Sequence, residues 1–448
     1  MLPPRARRVS VPVLVALAAA MALVALPAIT GVGVSAETNG QTVVSLTFDD
    51  GVRNHYTEAT PILDEHGARG TFYVNSGRIG ATNFLTQEDL EEMDATGHEI
   101  GGHTVDHADL PTLSPDDQRR SICNDRADLI ARGFPVTSLA YPFGDATATT
   151  EQIAQECGYH SARGVGGLRT ATACHGCPWS ESVPPAKKFL TRATASVKNT
   201  TTLDDLKAYV TNAESNGGGW VQFVIHHVCE ADCGGVYTMK PDLLDDFMTW
   251  LAPRADDNTV VKTVHEVMGG EVKPAVPGPP LPMAPGNLVL NPSLESFGAG
   301  YVPSCFQLGG FGTNTFSWSR TTDAHSGSFA EQLTINGYTS GDRKLVIAQN
   351  SATCAPKATP GTAYRLGVWY KGSWGPATSV RLVAYYRAGG VWKYWRTGPV
   401  LPTGAGWTKM PDYVTPAAPA GADAVSFGLA MTGNGTLITD DYAVSEAP

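Results

Sequence analysis

Basic residues are scarce in this 448-residue chain, where 32 Lys and Arg stand against 43 Asp and Glu, a formal net charge of −11. Neutralising a phosphate backbone requires a cationic excess, so nucleic acid is excluded as a partner. Charged residues are only 17%, too few for a solvated disordered chain, while 42% apolar residues suffice for folded cores. No G-x-S-x-G segment occurs, which removes the strained nucleophile turn of a serine esterase. Beyond the N-terminus no apolar run of bilayer-spanning length is present. What stands at the N-terminus is Arg5, Arg7 and Arg8, then apolar residues from Val9 to Ile29, then Val34-Ser35-Ala36. Charged start, apolar middle and small-residue end predict a secretory signal peptide over 1–36. A membrane anchor is the alternative; Pro12, Pro27 and the small-residue exit argue for cleavage. The expectation is a secreted protein with no membrane attachment after cleavage and no implied protein partner. Its eight cysteines then belong in disulfides rather than metal sites.

The remainder divides at residues 274–285, where six of twelve residues are proline. Such a stretch is expected to be an extended spacer of up to ~37 Å, at ~3.1 Å per residue. The expected layout is a catalytic domain over 37–272, a Pro-rich linker over 273–286 and a β-sandwich module over 287–448. Residues 37–286 carry 18 basic and 34 acidic residues, whereas 287–448 carry 11 and 9. Ten of eleven His precede the linker, and 15 of 24 Trp and Tyr follow it. One part is rich in residues that bind metal and move protons, the other in flat aromatic surface.

Before the linker, apolar runs such as Val43–Phe48, Thr71–Val74 and Trp220–Ile225 alternate with helical segments. Thr86 with Asp89 reads as an N-cap, Ser114-Pro115 opens a longer helix, and Val260–Val264 is the last expected strand. This alternation predicts an α/β barrel of about seven parallel strands. Candidate chemistry gathers at strand ends. Asp49 and Asp50 are adjacent carboxylates, costly together unless something positive lies beside them, although Asp-Gly is also a common turn. His103 and His107, at i and i+4, can reach one ion from one face of a turn. With Asp50 they make a two-His, one-carboxylate set that leaves positions open for water and substrate. His226 follows a strand apolar enough to be buried, which puts it at the barrel mouth; a capped loop histidine is the plainer alternative. Pro142 fixes the backbone before Phe143, useful if that N–H must face an oxyanion.

Together Thr47-Phe48-Asp49-Asp50-Gly51, His103-Thr104-Val105-Asp106-His107, Tyr141-Pro142-Phe143-Gly144 and the apolar strand into His226 resemble the polysaccharide deacetylases of carbohydrate esterase family four, over about 42–270. The resemblance implies a distorted (β/α)7 barrel, Asp49 as general base, and Asp50, His103 and His107 as ligands of a divalent metal. Zn²⁺ comes first, with Co²⁺, Ni²⁺ or Mn²⁺ as alternatives. It implies His226 as general acid and the Phe143 N–H at the oxyanion, with Tyr141, Trp179 and Val224 counted as substrate-facing. The expected substrate is an N-acetyl group of a GlcNAc-containing glycan such as chitin or peptidoglycan. The alternatives are an O-acetyl (acetylxylan) esterase and a glycan-binding protein with an impaired barrel. One departure bears on the base: the family's Arg two residues before the Pro is Ala140 here, so either another Arg substitutes, with Arg163 and Arg192 as candidates, or Asp49 is tuned differently.

Among the cysteines, Cys123–Cys157 is the expected pair in the first domain. Cys174, Cys177, Cys229 and Cys233 are left to pair locally or with each other, and Cys305–Cys354 follows if the domains share no bridge. The start Asn287–Glu295 and the end Leu437–Asp441 resemble those of carbohydrate-binding β-sandwich modules. Trp369, Trp374, Trp392, Trp395 and Trp407 are the sugar-stacking candidates, with burial in the sandwich core the plainer reading of any one of them, and Asp440 with Asp441 is a candidate Ca²⁺ site or, more plainly, a solvated turn.

Overall fold

The computed structural model describes residues 40–230, 233–351 and 353–448; the signal-peptide expectation lies outside the described residues. Among the described residues no helix is long and apolar enough to cross a membrane.

β1 (Thr42–Phe48) has no exposed position, as a parallel strand covered on both faces requires. From it β2 (Thr71–Val74), β3 (Glu99–Gly102), β4 (Ser138–Ala140), β5 (Ser161–Gly167) and β6 (Thr191–Ala193) follow in spatial order, all parallel. β7 (Gly219–Ile225) pairs along the whole of β1, Thr42 opposite Gly219 through Phe48 opposite Ile225. The two edges meet at an irregular seam, where Thr194 and Val197 N–H donate to Gln222 and Val224 carbonyls. The curled sheet is thus the expected distorted seven-stranded arrangement. A short eighth strand, β8 (Thr259–Val261), adds beside the start of β1. It ends before Val264 because Thr263 and Glu266 form a capping box that turns Val264 into a helix, which shortens the expected strand. Thr86 with Asp89 and Ser114 with Asp117 cap their helices as expected.

Residues 306–446 form two antiparallel sheets facing each other across a core that includes Leu333, Tyr364, Leu382, Phe427 and Tyr442. Four disulfides are present: Cys123–Cys157 and Cys305–Cys354 as expected, with Cys174–Cys177 and Cys229–Cys233 closing locally.

The proline segment does not stand off as a spacer. Arg126, fully buried in the helix Pro115–Ala131, donates to Val136 and Cys157 carbonyls and to those of Lys273 (2.7 Å) and Pro274 (3.1 Å). Further along the same helix the Asn124 side chain accepts from Gly278 N–H, and Arg120 reaches the Pro280 carbonyl. The first residues past the strap also dock, with Phe297 packed into the barrel's own core. Extended proline backbone cannot satisfy its own carbonyls, and the helix supplies the donors. Arg126→Met leaves four carbonyls without this donor, those of Val136 and Cys157 fully buried. It is expected to cost on the order of 3 kcal/mol, read as a lower thermal midpoint and faster proteolysis within 273–286. Unchanged proteolysis would show that the strap is held by something else.

Candidate metal centre and catalytic site

The strand end at Asp49-Asp50 sends two neighbouring carboxylates to different places. Asp50 has φ +78°, a left-handed conformation that costs an ordinary residue about 1–3 kcal/mol and persists where surroundings enforce it. Asp50 Oδ1 lies 3.5 Å from His103 Nε2 and 3.2 Å from His107 Nε2. One ligand atom from each of these three residues falls within 4.8 Å of the others, the arrangement required to share one ion. The His103 Nδ1–H donates to the Ala140 carbonyl at 2.7 Å, which turns Nε2 toward Asp50. A backbone acceptor behind a histidine is the support a metal-binding imidazole needs, so the donor set fits a divalent ion.

Asp49 is buried and paired with Arg163. Burial alone would raise its pKa, but the Arg163 guanidinium, with His103 and His226 nearby, outweighs burial and holds it below the usual range. Arg163 lies directly beside Ala140 in the parallel register of β4 and β5. The guanidinium missing from position 140 is therefore supplied from the adjacent strand. Arg192, the other candidate, pairs instead with Glu181. For Asp50, burial is likewise overcome, here by the His103 hydrogen bond and the charges of His103 and His107, and its pKa falls far below normal. Burial opposes the charged form of His103, but Asp50 and Asp49 raise its pKa; burial and His103 push His107 down to about 4.

The loop carrying the two histidines is held from below by Asp125, which sequence reasoning missed. Its carboxylate accepts from the N–H groups of Ser76 (2.9 Å), His103 (3.0 Å) and Thr104 (3.1 Å). Nothing in the sequence marks Asp125 out from the other charges of its helix. The Asn75 amide donates to the Thr104 carbonyl at 3.1 Å.

Residues 36–162 match the family model described as polysaccharide deacetylase. The chain carries a polysaccharide deacetylase domain. The matched stretch contains Asp49, Asp50, His103, His107 and Phe143, and ends one residue before Arg163. The Bacillus subtilis (strain 168) protein YxkH, named for polysaccharide deacetylation, is 34% identical over 118 residues, 26% of this chain and 42% of its own. A peptidoglycan-N-acetylglucosamine deacetylase of Listeria monocytogenes is 30% identical over 125 residues, 28% of this chain and 25% of its own. A Streptococcus pyogenes deacetylase solved with acetate aligns with 37% of this chain and 69% of its own, at 26% identity and a TM-score of 0.32. The chain spans less than half the length of the first curated relatives it matches.

In the deacetylase domain Phe143 takes a left-handed turn at φ +59°, and its exposed ring packs edge-on against His107 at 4.6 Å. His226 packs against Tyr237, and its buried Nδ1 has no hydrogen-bond partner among the described residues. A cavity of about 570 Å³ opens beside Asp50, lined among others by Arg53, Asn54, Arg78, Asn83 and His227.

The other expected positions differ in their exposure. Tyr141 is buried and its hydroxyl donates to the Phe189 carbonyl, and Val224 is buried in β7 opposite Thr47; neither side chain is exposed to a substrate. Trp179 is half-buried under Arg169. Trp395 lies in the sandwich core, 5% exposed, because its strand turns that face inward, so it is not a stacking surface. Trp374 packs partly against the same core. Trp392 is half-buried, its indole N–H given to the Gln349 carbonyl. Trp369 is covered on one face by the His325 ring at 3.7 Å, and Trp407 lies edge-on to that ring at 5.8 Å. Asp440 and Asp441 are engaged by the His325 and Ser326 donors, and no Ca²⁺-like cluster forms there among the described residues.

Arg163→Met removes the charge that keeps Asp49 ionised. The Asp49 pKa then rises, so the acid limb of kcat/KM against pH moves to higher pH. In stability the sign agrees: a depressed carboxyl pKa stabilises above its unfolded value near 3.8 and loses that contribution as pH falls through the folded value. Leaving Asp49 buried and unpaired also costs on the order of 3 kcal/mol. An acid limb that does not move would detach Arg163 from any role in setting the charge of Asp49 during turnover.

Proposed function

We propose that the protein is a secreted, metal-dependent deacetylase that hydrolyses N-acetyl groups of GlcNAc-containing cell-wall or chitin-type glycans. The observation that carries this reading is the Asp50, His103 and His107 cluster beside an Asp49 held ionised by Arg163. The Listeria relative, named for N-acetylglucosamine deacetylation of peptidoglycan, supports the substrate class.

Asp50, His103 and His107 would hold the ion. A divalent ion, Zn²⁺ first, polarises a carbonyl oxygen and lowers the pKa of water when bound. Asp49, ionised and unable to swing away from Arg163, accepts the proton of the attacking water. The Phe143 N–H, at the left-handed turn after Pro142, is the donor assigned to the developing oxyanion. His226 returns a proton to the leaving nitrogen, without which an amine leaves poorly. The exposed aromatic surface of the sandwich is assigned to glycan contact, with Trp369 and Trp407 the better placed of the tryptophans.

One observation favours a second reading, O-acetyl ester hydrolysis on a xylan-type glycan. No described group partners His226 Nδ1 to fix the orientation of that ring toward a leaving group, and an alcohol needs a delivered proton less than an amine does.

Acetate release measured on chitin oligomers, peptidoglycan and acetylxylan separates the two. The amide substrates are expected to be cleaved, activity to vanish on chelation, and Zn²⁺ or Co²⁺ to restore it. Cleavage of acetylxylan alone would select the ester reading. No acetate from any of the three would leave a glycan-binding protein.

A further inference from the structure

Between the two ligand histidines lies Asp106, and its shortest contact comes from outside the barrel. The Asp106 Oδ2 accepts from the Ala299 N–H at 2.6 Å, beyond the proline strap. At the preceding residue, Gly298, a Cβ would sit 2.2 Å from that oxygen, so the turn approaches more closely than any side chain there would allow. The other Asp106 oxygen takes a longer bond from Ser121 Oγ at 3.3 Å, and its backbone carbonyl accepts from Arg78 at 3.2 Å.

The turn that reaches Asp106 is itself firmly built. Phe297 is buried in the barrel core, stacked edge-on with Phe329, and Arg320 lies over both rings and over Tyr301. Asn291 bonds the Ser296 and Ser304 carbonyls and the Ser296 N–H, fixing both ends of the segment. Arg120, ion-paired to Asp117, donates to Ser296 Oγ at 3.0 Å.

The loop it grips needs holding. Thr104 and His107 both have left-handed backbones, at φ +67° and +62°, conformations that persist only where neighbours over-determine them. Asp125 and Asn75 hold the His103 end, and the His107 end receives the Asp106 contact.

We propose that the 297–299 turn positions the metal-binding loop, with Asp106 as the positioning residue and the Ala299 N–H as its anchor, so that metal affinity depends on the docked C-terminal segment. This rests on reading Asp50, His103 and His107 as metal ligands.

Zn²⁺ affinity of the purified protein, measured by competition with a chromophoric chelator, tests it without reference to activity. Asp106→Ala is expected to weaken binding by on the order of tenfold or more, the usual effect of removing support behind a ligand. Asp106→Asn keeps an acceptor oxygen and should recover most of the affinity. Ala299→Pro deletes the donor and leaves the barrel sequence intact. Ala299 opens a short turn after an extended Gly298, where proline is tolerated, so this variant serves even if Asp106→Ala fails to fold. Wild-type affinity in Ala299→Pro, with circular dichroism unchanged, would overturn the proposal alone. A wild-type protein binding no more Zn²⁺ than His103→Ala would overturn the metal reading and the proposal together.

Discussion

Two adjacent carboxylates cannot both stay charged in a closed site unless each meets its own positive partner, and the site is organised around this constraint. β1 is buried on both faces and delivers Asp49 and Asp50 to the same rim. The left-handed φ at Asp50 sends the second carboxylate to His103 and His107, while the first stays against Arg163. One carboxylate can then ligate and the other accept a proton, with opposite demands met by environment alone.

The same economy of partners runs outward. Asp125, with three backbone N–H bonds, ties the histidine loop to the long helix. That helix also supplies Arg126, Asn124 and Arg120 to the proline strap and the segment after it. Barrel and sandwich are therefore linked through the element that steadies the site, rather than joined by a free tether.

The candidate site's motifs were legible because metal and proton-transfer chemistry demands particular residue types at fixed spacing: two carboxylates at a strand end, two histidines four apart. The parallel alternation was legible for the same reason, a period that burial imposes. Arg163 could be named only as one of two candidates, since the register placing it beside Ala140 is a property of the folded sheet. Asp125 and Asp106 were invisible, because a carboxylate receiving backbone N–H groups looks in sequence like any charge on a helix or loop. The strap was misread for a related reason: proline content reports extension, but says nothing of the arginine waiting on a neighbouring helix. Among the tryptophans, composition announced aromatic surface, yet the facing of each strand decided that Trp395 is core while Trp369 and Trp407 remain partly open.

The central claim is that Asp49 and Asp50 do different work. It is tested most directly by measuring bound Zn²⁺ and acetate release side by side in Asp49→Asn and Asp50→Asn. The account predicts that Asp49→Asn keeps its metal and loses activity by on the order of 10²-fold or more, whereas Asp50→Asn loses metal and activity together. Full activity in Asp49→Asn, or equal metal loss in both, would contradict it.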